Sequence, residues 1–118
     1  MMEDNIKNTF ASIEDFMKLD MRVGTIVEAE PFEKARVPAI KLYIDFGPLG
    51  MKRSSAQITA RYTPDKLVGR QVVAIVNFPP RRIAGFDSEV LVLGGVPGSG
   101  DVVLLQPDEE VPNGTPIA

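Results

Sequence analysis

The 118 residues include 44% apolar and 25% charged side chains with ten Gly and ten Pro, enough for one compact core and too punctuated for long helices. There is no Cys and no His, which excludes disulfides, thiol nucleophiles, thiolate or imidazole metal sites and any Ser-His-Asp triad. The net charge of −3 is sorted along the chain: residues 1–33 carry three bases against eight acids, 34–82 ten bases against Asp45 and Asp65, and 83–118 six acids and no base. This order predicts a basic face on the middle strands, while a pI near 4.9 argues against unspecific adhesion to nucleic acid.

Residues 1–8 contain early acids and no apolar run, so neither a signal peptide nor membrane insertion is expected and the chain reads as cytoplasmic. Residues 1–11 read as an N-terminal extension and 12–118 as the domain. Ser12 followed by Asp15 is a capping-box pattern opening a short helix, and Ile13, Phe16, Met17 and Leu19 give that helix an apolar face. Met21, Val23 and Thr25 alternate until Ile26 shifts the phase, so Gly24 is expected to mark a bulge or sharp bend. Ile40, Leu42, Ile44 and Phe46 alternate with polar residues and predict a strand with one buried face, which leaves Tyr43 pointing outward.

The run Gly47-Pro48-Leu49-Gly50 predicts a turn, and 51–58 a third strand of small and polar residues. Thr63 is expected to cap a helical turn with Pro64 at its first position and Gly69 as its stop. A buried strand follows at 71–77, then the stiff Pro79-Pro80-Arg81-Arg82 segment, a strand at 89–93, an extended loop over Gly94–Gly98 and a strand at 102–105. The tail, 106–118, is acidic and carries three Pro. Helix, three strands, short helix and further strands predict an all-β OB-fold, a five-stranded barrel with a small helix between strands three and four.

Several stretches resemble the tRNA-binding OB domains appended to some methionyl-tRNA synthetases and present in phenylalanyl-tRNA synthetase. They are Lys41-Leu42-Tyr43 with Asp45 and Gly47; Tyr62, Pro64, Leu67 and Gly69; and Asn77-Phe78-Pro79-Pro80-Arg81-Arg82 running on to Gly85 and Ser88. The runs Ala35–Leu42, Lys52–Thr59, Val76–Phe86 and Gly100–Pro107 are similar to the CsaA subgroup, small stand-alone members described as secretion-associated and chaperone-like. One departure is Ser88-Glu89-Val90-Leu91, where the tRNA-binding relatives carry Ser-x-Gly-Met; another is Ile40, where they tend to carry an acid. The resemblance implies a homodimer of OB barrels, and apolar segments surplus to one small barrel lead to the expectation that the N-terminal helix and C-terminal strands lie between subunits. The resemblance also implies binding of unfolded or presecretory polypeptide, with a tRNA-binding ancestry.

The candidate ligand residues follow from both readings. Arg81 and Arg82 leave two prolines with a stiff backbone, so their guanidinium forks could meet phosphate or carboxylate at low entropic cost. The alternative for them is an ion pair with Asp87 or Glu89 across a turn. Lys52 and Arg53 open the third strand of the usual OB ligand face, with Ser55 and Gln57 offering hydrogen bonds along it. Lys41 and Tyr43 stand beside them, and the resemblance adds Asn77 and Ser88. Phe78 and Phe86 flank the basic motif, where core packing is their expected use and stacking on a base or an apolar side chain the alternative.

No cofactor or metal is expected. Asp108-Glu109-Glu110 lacks the spacing of a calcium loop, and the glycine clusters lack the Lys-Ser/Thr of a phosphate loop. No residue constellation supports catalysis, so a binding module is expected rather than an enzyme. Two functions compete. One is a passive holder of extended, partly apolar and basic or polar segments of exported proteins. The other is a tRNA binder that reads shape, whose affinity would fall steeply with salt.

Overall fold

The computed structural model describes residues 9–118; residues 1–8, most of the expected extension, lie outside them. In chain order the elements are α1 (Ile13–Met17), β1 (Met21–Pro31), β2 (Ile40–Asp45), a 3-10 turn (Gly47–Leu49), β3 (Met51–Ala56), α2 (Pro64–Leu67), β4 (Gln71–Ile75), β5 (Arg81–Ile83), β6 (Phe86–Ser88), β7 (Leu91–Val92), β8 (Gly94–Gly98) and β9 (Asp101–Leu104). The principal sheet has the order β3-β2-β1-β4-β7, and β5–β6 and β8–β9 form separate hairpins. It curls into a nearly closed five-stranded barrel of OB type. No helix among the described residues is long and apolar enough to cross a membrane.

The core is built from the alternation in β2. Ile40, Leu42, Ile44 and Phe46 are all buried and pack with Ile26, Ile58, Leu67, Val72 and Ala74, as the period-two pattern predicts. The barrel is closed by side chains as much as by backbone. The Glu89 N–H donates to the Arg53 carbonyl at 2.8 Å, the Ser55 N–H to Ser88 Oγ at 2.9 Å, and Ser54 Oγ to the Val90 carbonyl at 3.0 Å. The tail lies along the open part of β1: the Gly114 N–H bonds the Val23 carbonyl, the Val23 N–H the Thr115 carbonyl, and the Ile117 N–H the Met21 carbonyl.

Several local expectations are corrected. The bulge in β1 is at Val27, where pairing with β2 steps from Ile26↔Ile44 to Glu28↔Tyr43. Gly24 instead lies within regular pairing, opposite Val72 of β4. The segment Arg81–Ser88 is a hairpin, with Ala84 and Gly85 at φ 46° and 83° in its turn. The stretch Gly94–Gly98, expected as a loop, pairs with β9, and the strand expected at 89–93 shrinks to Leu91–Val92. Ser12 and Asp15 form the expected capping box, whereas Thr63 caps α2 without a side-chain bond. None of the residues of α1 is fully buried: Ile13 and Met17 are exposed and Phe16 is half-buried, so its apolar face is only partly covered.

Candidate functional site

One cluster of sequence-predicted residues forms around Phe86. The register pairs Tyr43 with Arg53 and Lys41 with Ser55, so these four outward positions of β2 and β3 share one face. Phe86 of β6 reaches over that face and meets Phe32 at a ring separation of 5.4 Å and Tyr43 at 6.3 Å, both edge to face. Lys41 Nζ lies 4.8 Å and 5.1 Å from the Phe32 and Phe86 ring centres, and the Arg53 guanidinium 5.0 Å from Phe86. Acids complete the cluster. Glu30 lies 3.7 Å from Lys41 and accepts a long bond from the Tyr43 hydroxyl, and Asp87 and Glu89 each lie 3.8 Å from Arg53. Burial, and then the negative charge of Glu30, raise the pKa of the Tyr43 phenol. Lys41, Tyr43, Arg53 and Phe86 are thus brought together, each already partnered.

The adjoining groove differs in character. A cavity of about 620 Å³ is walled by the β1–β2 loop (Lys34, Ala35, Arg36, Val37), the end of β3 with Gln57 and Ile58, the β5–β6 hairpin (Arg81, Ile83) and Leu91, Val92 and Val102. No acid lines it. Among the described residues Lys34, Arg36 and Arg81 have no ion-pair partner, whereas Arg22, Lys41, Arg61 and Arg82 each have one and Arg53 has two. The groove therefore offers an apolar floor under uncompensated positive charge.

The other sequence-predicted residues are distributed as follows. Ser55, Gln57 and Arg81 line the groove. Arg82 donates to Asp87 at 2.8 Å, the ion-pair alternative, and this bond holds the Asp87 carboxyl below the usual carboxylate range. Ser88 joins β6 to β3 through the Ser55 N–H. Lys52 sits opposite Ile44 on the strand parity of buried Ser54 and Ala56, away from Arg53, so the two basic residues do not share a face. Asn77 lies elsewhere: its side chain accepts from the Asp20 N–H and donates to the Lys18 carbonyl, tying α1 to the barrel. Phe78 is 42% exposed and Phe86 only 5%, so core packing holds for Phe86 alone. No local motif marks Lys34 and Arg36 as ligand residues. Their signal was the uncompensated base count of the 34–82 segment.

Residues 21–116 match the family model described as "Putative tRNA binding domain". The chain belongs to this family of tRNA-binding-type OB domains. Within it the chain falls with CsaA. The crystal structure of chaperone CsaA from Bacillus anthracis str. Ames is 67% identical, covers 93% of this chain and 100% of that one, and superposes with a TM-score of 0.90. The CsaA chaperone protein from Picrophilus torridus is 47% identical over 92% of this chain and 100% of that one, with a TM-score of 0.85. The methionine–tRNA ligase of Methanococcoides burtonii is 37% identical over 90% of this chain, which spans 15% of that enzyme.

Proposed function

We propose that the chain, as a single domain over 12–118, is an ATP-independent chaperone. It acts as a homodimer and holds unfolded or presecretory polypeptides in the cytoplasm. It performs no catalytic step and lowers the concentration of free unfolded chain by mass action. The carrying observation is the groove, whose apolar floor suits side chains that a folded client would bury. The aromatic cluster around Phe86 favours polypeptide over single-stranded RNA. Phe32 and Phe86 are 4% and 5% exposed with cations on their faces, so neither offers an open ring to a base. The uncompensated Lys34, Arg36 and Arg81 argue against the basic clients expected from sequence and for acidic or neutral ones.

The same three cations favour a second reading, structure-specific tRNA binding through phosphate contacts. Titrating one preparation with a labelled presecretory peptide and with labelled total tRNA, each at low and near-physiological salt, separates them. The expected outcome is peptide binding at both salts, with tRNA binding lost as salt rises. The double variant R36E/R81E is expected to weaken binding of an acidic peptide by about three- to tenfold with unchanged thermal unfolding. Tight tRNA binding without peptide binding would transfer the assignment to the second reading.

A further inference from the structure

The C-terminal tail is fastened to the barrel around one dipeptide. β1 pairs with β4 from Met21 to Thr25, but β2 runs beside it only from Thr25 onward, which leaves the other edge of Met21–Val23 to the tail. That edge binds Gly114, Thr115 and Ile117 through the Val23 carbonyl, the Val23 N–H and the Met21 carbonyl. Side chains reinforce the join. Asn113 Oδ1 accepts from Thr25 Oγ1 at 2.7 Å and from Gln71 Nε2 at 3.2 Å. Gln71 also exchanges two bonds with the Val111 backbone, and Arg22 donates to the Gly114 carbonyl at 3.0 Å. Asn113 and Gly114 are the central residues of a turn closed by the Thr115 N–H on the Pro112 carbonyl. Gly114 has φ 91°, and a Cβ there would lie 2.6 Å from the Phe46 carbonyl oxygen, so this turn requires glycine. Asparagine is a thermolabile residue, and a following glycine makes it most labile because no side chain shields the backbone nitrogen that attacks it. The turn that the fold demands is thus also a reactive pair.

We propose that Asn113–Gly114 is a deamidation site gated by the docking of the tail: silent while the tail lies on β1, reactive when it lifts, and converted to an isoaspartyl product that keeps the tail off. The Gly114 nitrogen loses its proton and attacks Asn113 Cγ, and the side-chain nitrogen takes up a proton and leaves as ammonia. The resulting succinimide takes up one water. Breaking its N–Cγ bond gives aspartate, and breaking its bond from nitrogen to the Asn113 main-chain carbonyl carbon gives isoaspartate. In the docked tail the Gly114 N–H is committed to the Val23 carbonyl at 2.7 Å, and Thr25 and Gln71 hold the Asn113 amide through Oδ1. These bonds must let go before the nitrogen meets Cγ, so the rate follows the undocked fraction. The two products then differ. Aspartate keeps the acceptor that Thr25 and Gln71 use. Isoaspartate adds a methylene to the main chain between positions 113 and 114, so the bonds to Thr25, Gln71 and Val23 no longer fit one register. A chain that has reacted this way leaves the Met21–Val23 edge open, and an open strand edge is a template for pairing with another chain.

The test ages the full chain, its Q71A and T25A variants and a synthetic peptide of residues 106–118 side by side at neutral pH and physiological temperature. Loss of the Asn113 amide, and the split between aspartate and isoaspartate, are followed by mass spectrometry. Gating predicts that the peptide reacts at least about tenfold faster than the folded chain, and that Q71A and T25A fall between the two. Circular dichroism shows whether each variant is folded, and if one is not, the other carries the comparison. Docking of the product is read separately, from NMR hydrogen exchange at the Val23 amide, which donates to Thr115 in the docked tail. The isoaspartyl chain, separated from the aged sample, is expected to exchange at Val23 at least about tenfold faster than the parent, whereas N113D stays protected. A folded chain that deamidates as fast as the peptide would overturn the site's gating, and so would folded variants no faster than the parent. Equal Val23 protection in the isoaspartyl chain and the parent would overturn the claim that the product keeps the tail off.

Discussion

Gly24 faces the side chains of Ile44 and Phe46, and a Cβ built on it would lie 2.7 Å and 2.8 Å from them. Both neighbours are fully buried, so neither can retreat into solvent. G24A is therefore expected to cost about 1–3 kcal/mol of overpacking, read as a lower urea midpoint at unchanged slope. The sequence marks Gly24 as special through the break in alternation. It does not say why, because the close neighbours come from β2, some twenty residues on. Arg82 is ambiguous in the sequence for a related reason, since a guanidinium five residues from a carboxylate can bind outward or inward. It binds Asp87. The bond from Arg82, opposed by some desolvation, lowers the Asp87 pKa on folding, and a lowered carboxyl pKa stabilises the fold above its unfolded value, near ~3.9. The melting temperature of the parent chain is thus expected to exceed that of D87N at neutral pH. The gap should close as pH falls through the lowered value, and it should shrink in high salt because the pair is exposed.

At the scale of elements, the β5–β6 hairpin carries the clearest local strain. Among the described residues Ala84 is the non-glycine residue at positive φ, 46°, followed by Gly85 at 83°. Two consecutive left-handed residues are the turn that matches strand twist in a two-residue hairpin, and Asn-Gly is its preferred sequence. A84N is expected to raise stability by roughly 0.5–1 kcal/mol, measured by chemical unfolding. The same fact explains why this hairpin was not legible: Ala-Gly gives no Asn or Asp signal, and Pro79-Pro80 ahead of it reads as loop. β2 was legible in full because its three apolar positions, Ile40, Leu42 and Ile44, alternate without a break. β8 was hidden by its composition, three Gly and a Pro in five residues, which pair with β9 through backbone alone. The groove inherits this division. Its β3 wall and Arg81 could be read from the strand pattern and the basic motif. The Lys34–Val37 wall depends on how the β1–β2 loop folds back, which no local period encodes.

At the scale of the whole molecule, the barrel leaves apolar surface that it does not cover itself. Phe10, Ile13 and Met17 are 73%, 67% and 72% exposed. Ile13 and Met17 are four residues apart and so share a face of α1, and Asn77 holds the end of that helix beside exposed Phe78. A helix of five residues with nothing fully buried has little intrinsic stability, yet it is anchored at a fixed place by side-chain bonds spanning 57 and 59 positions. A clustered apolar face held in position in this way is the signature of a surface that meets another. The proposed homodimer supplies that surface with a second copy of itself, related by a two-fold axis that also sets two grooves on one particle. Light scattering is then expected to give twice the 12.9 kDa chain mass at micromolar concentration. I13E/M17E, which alters only exposed positions, should return the single-chain mass with the barrel still folded by far-ultraviolet circular dichroism. A long client could engage both grooves of the dimer, so the same variant should lose affinity for long unfolded chains and keep it for a short peptide. Equal affinity of dimer and monomer for long chains would show that each barrel works alone.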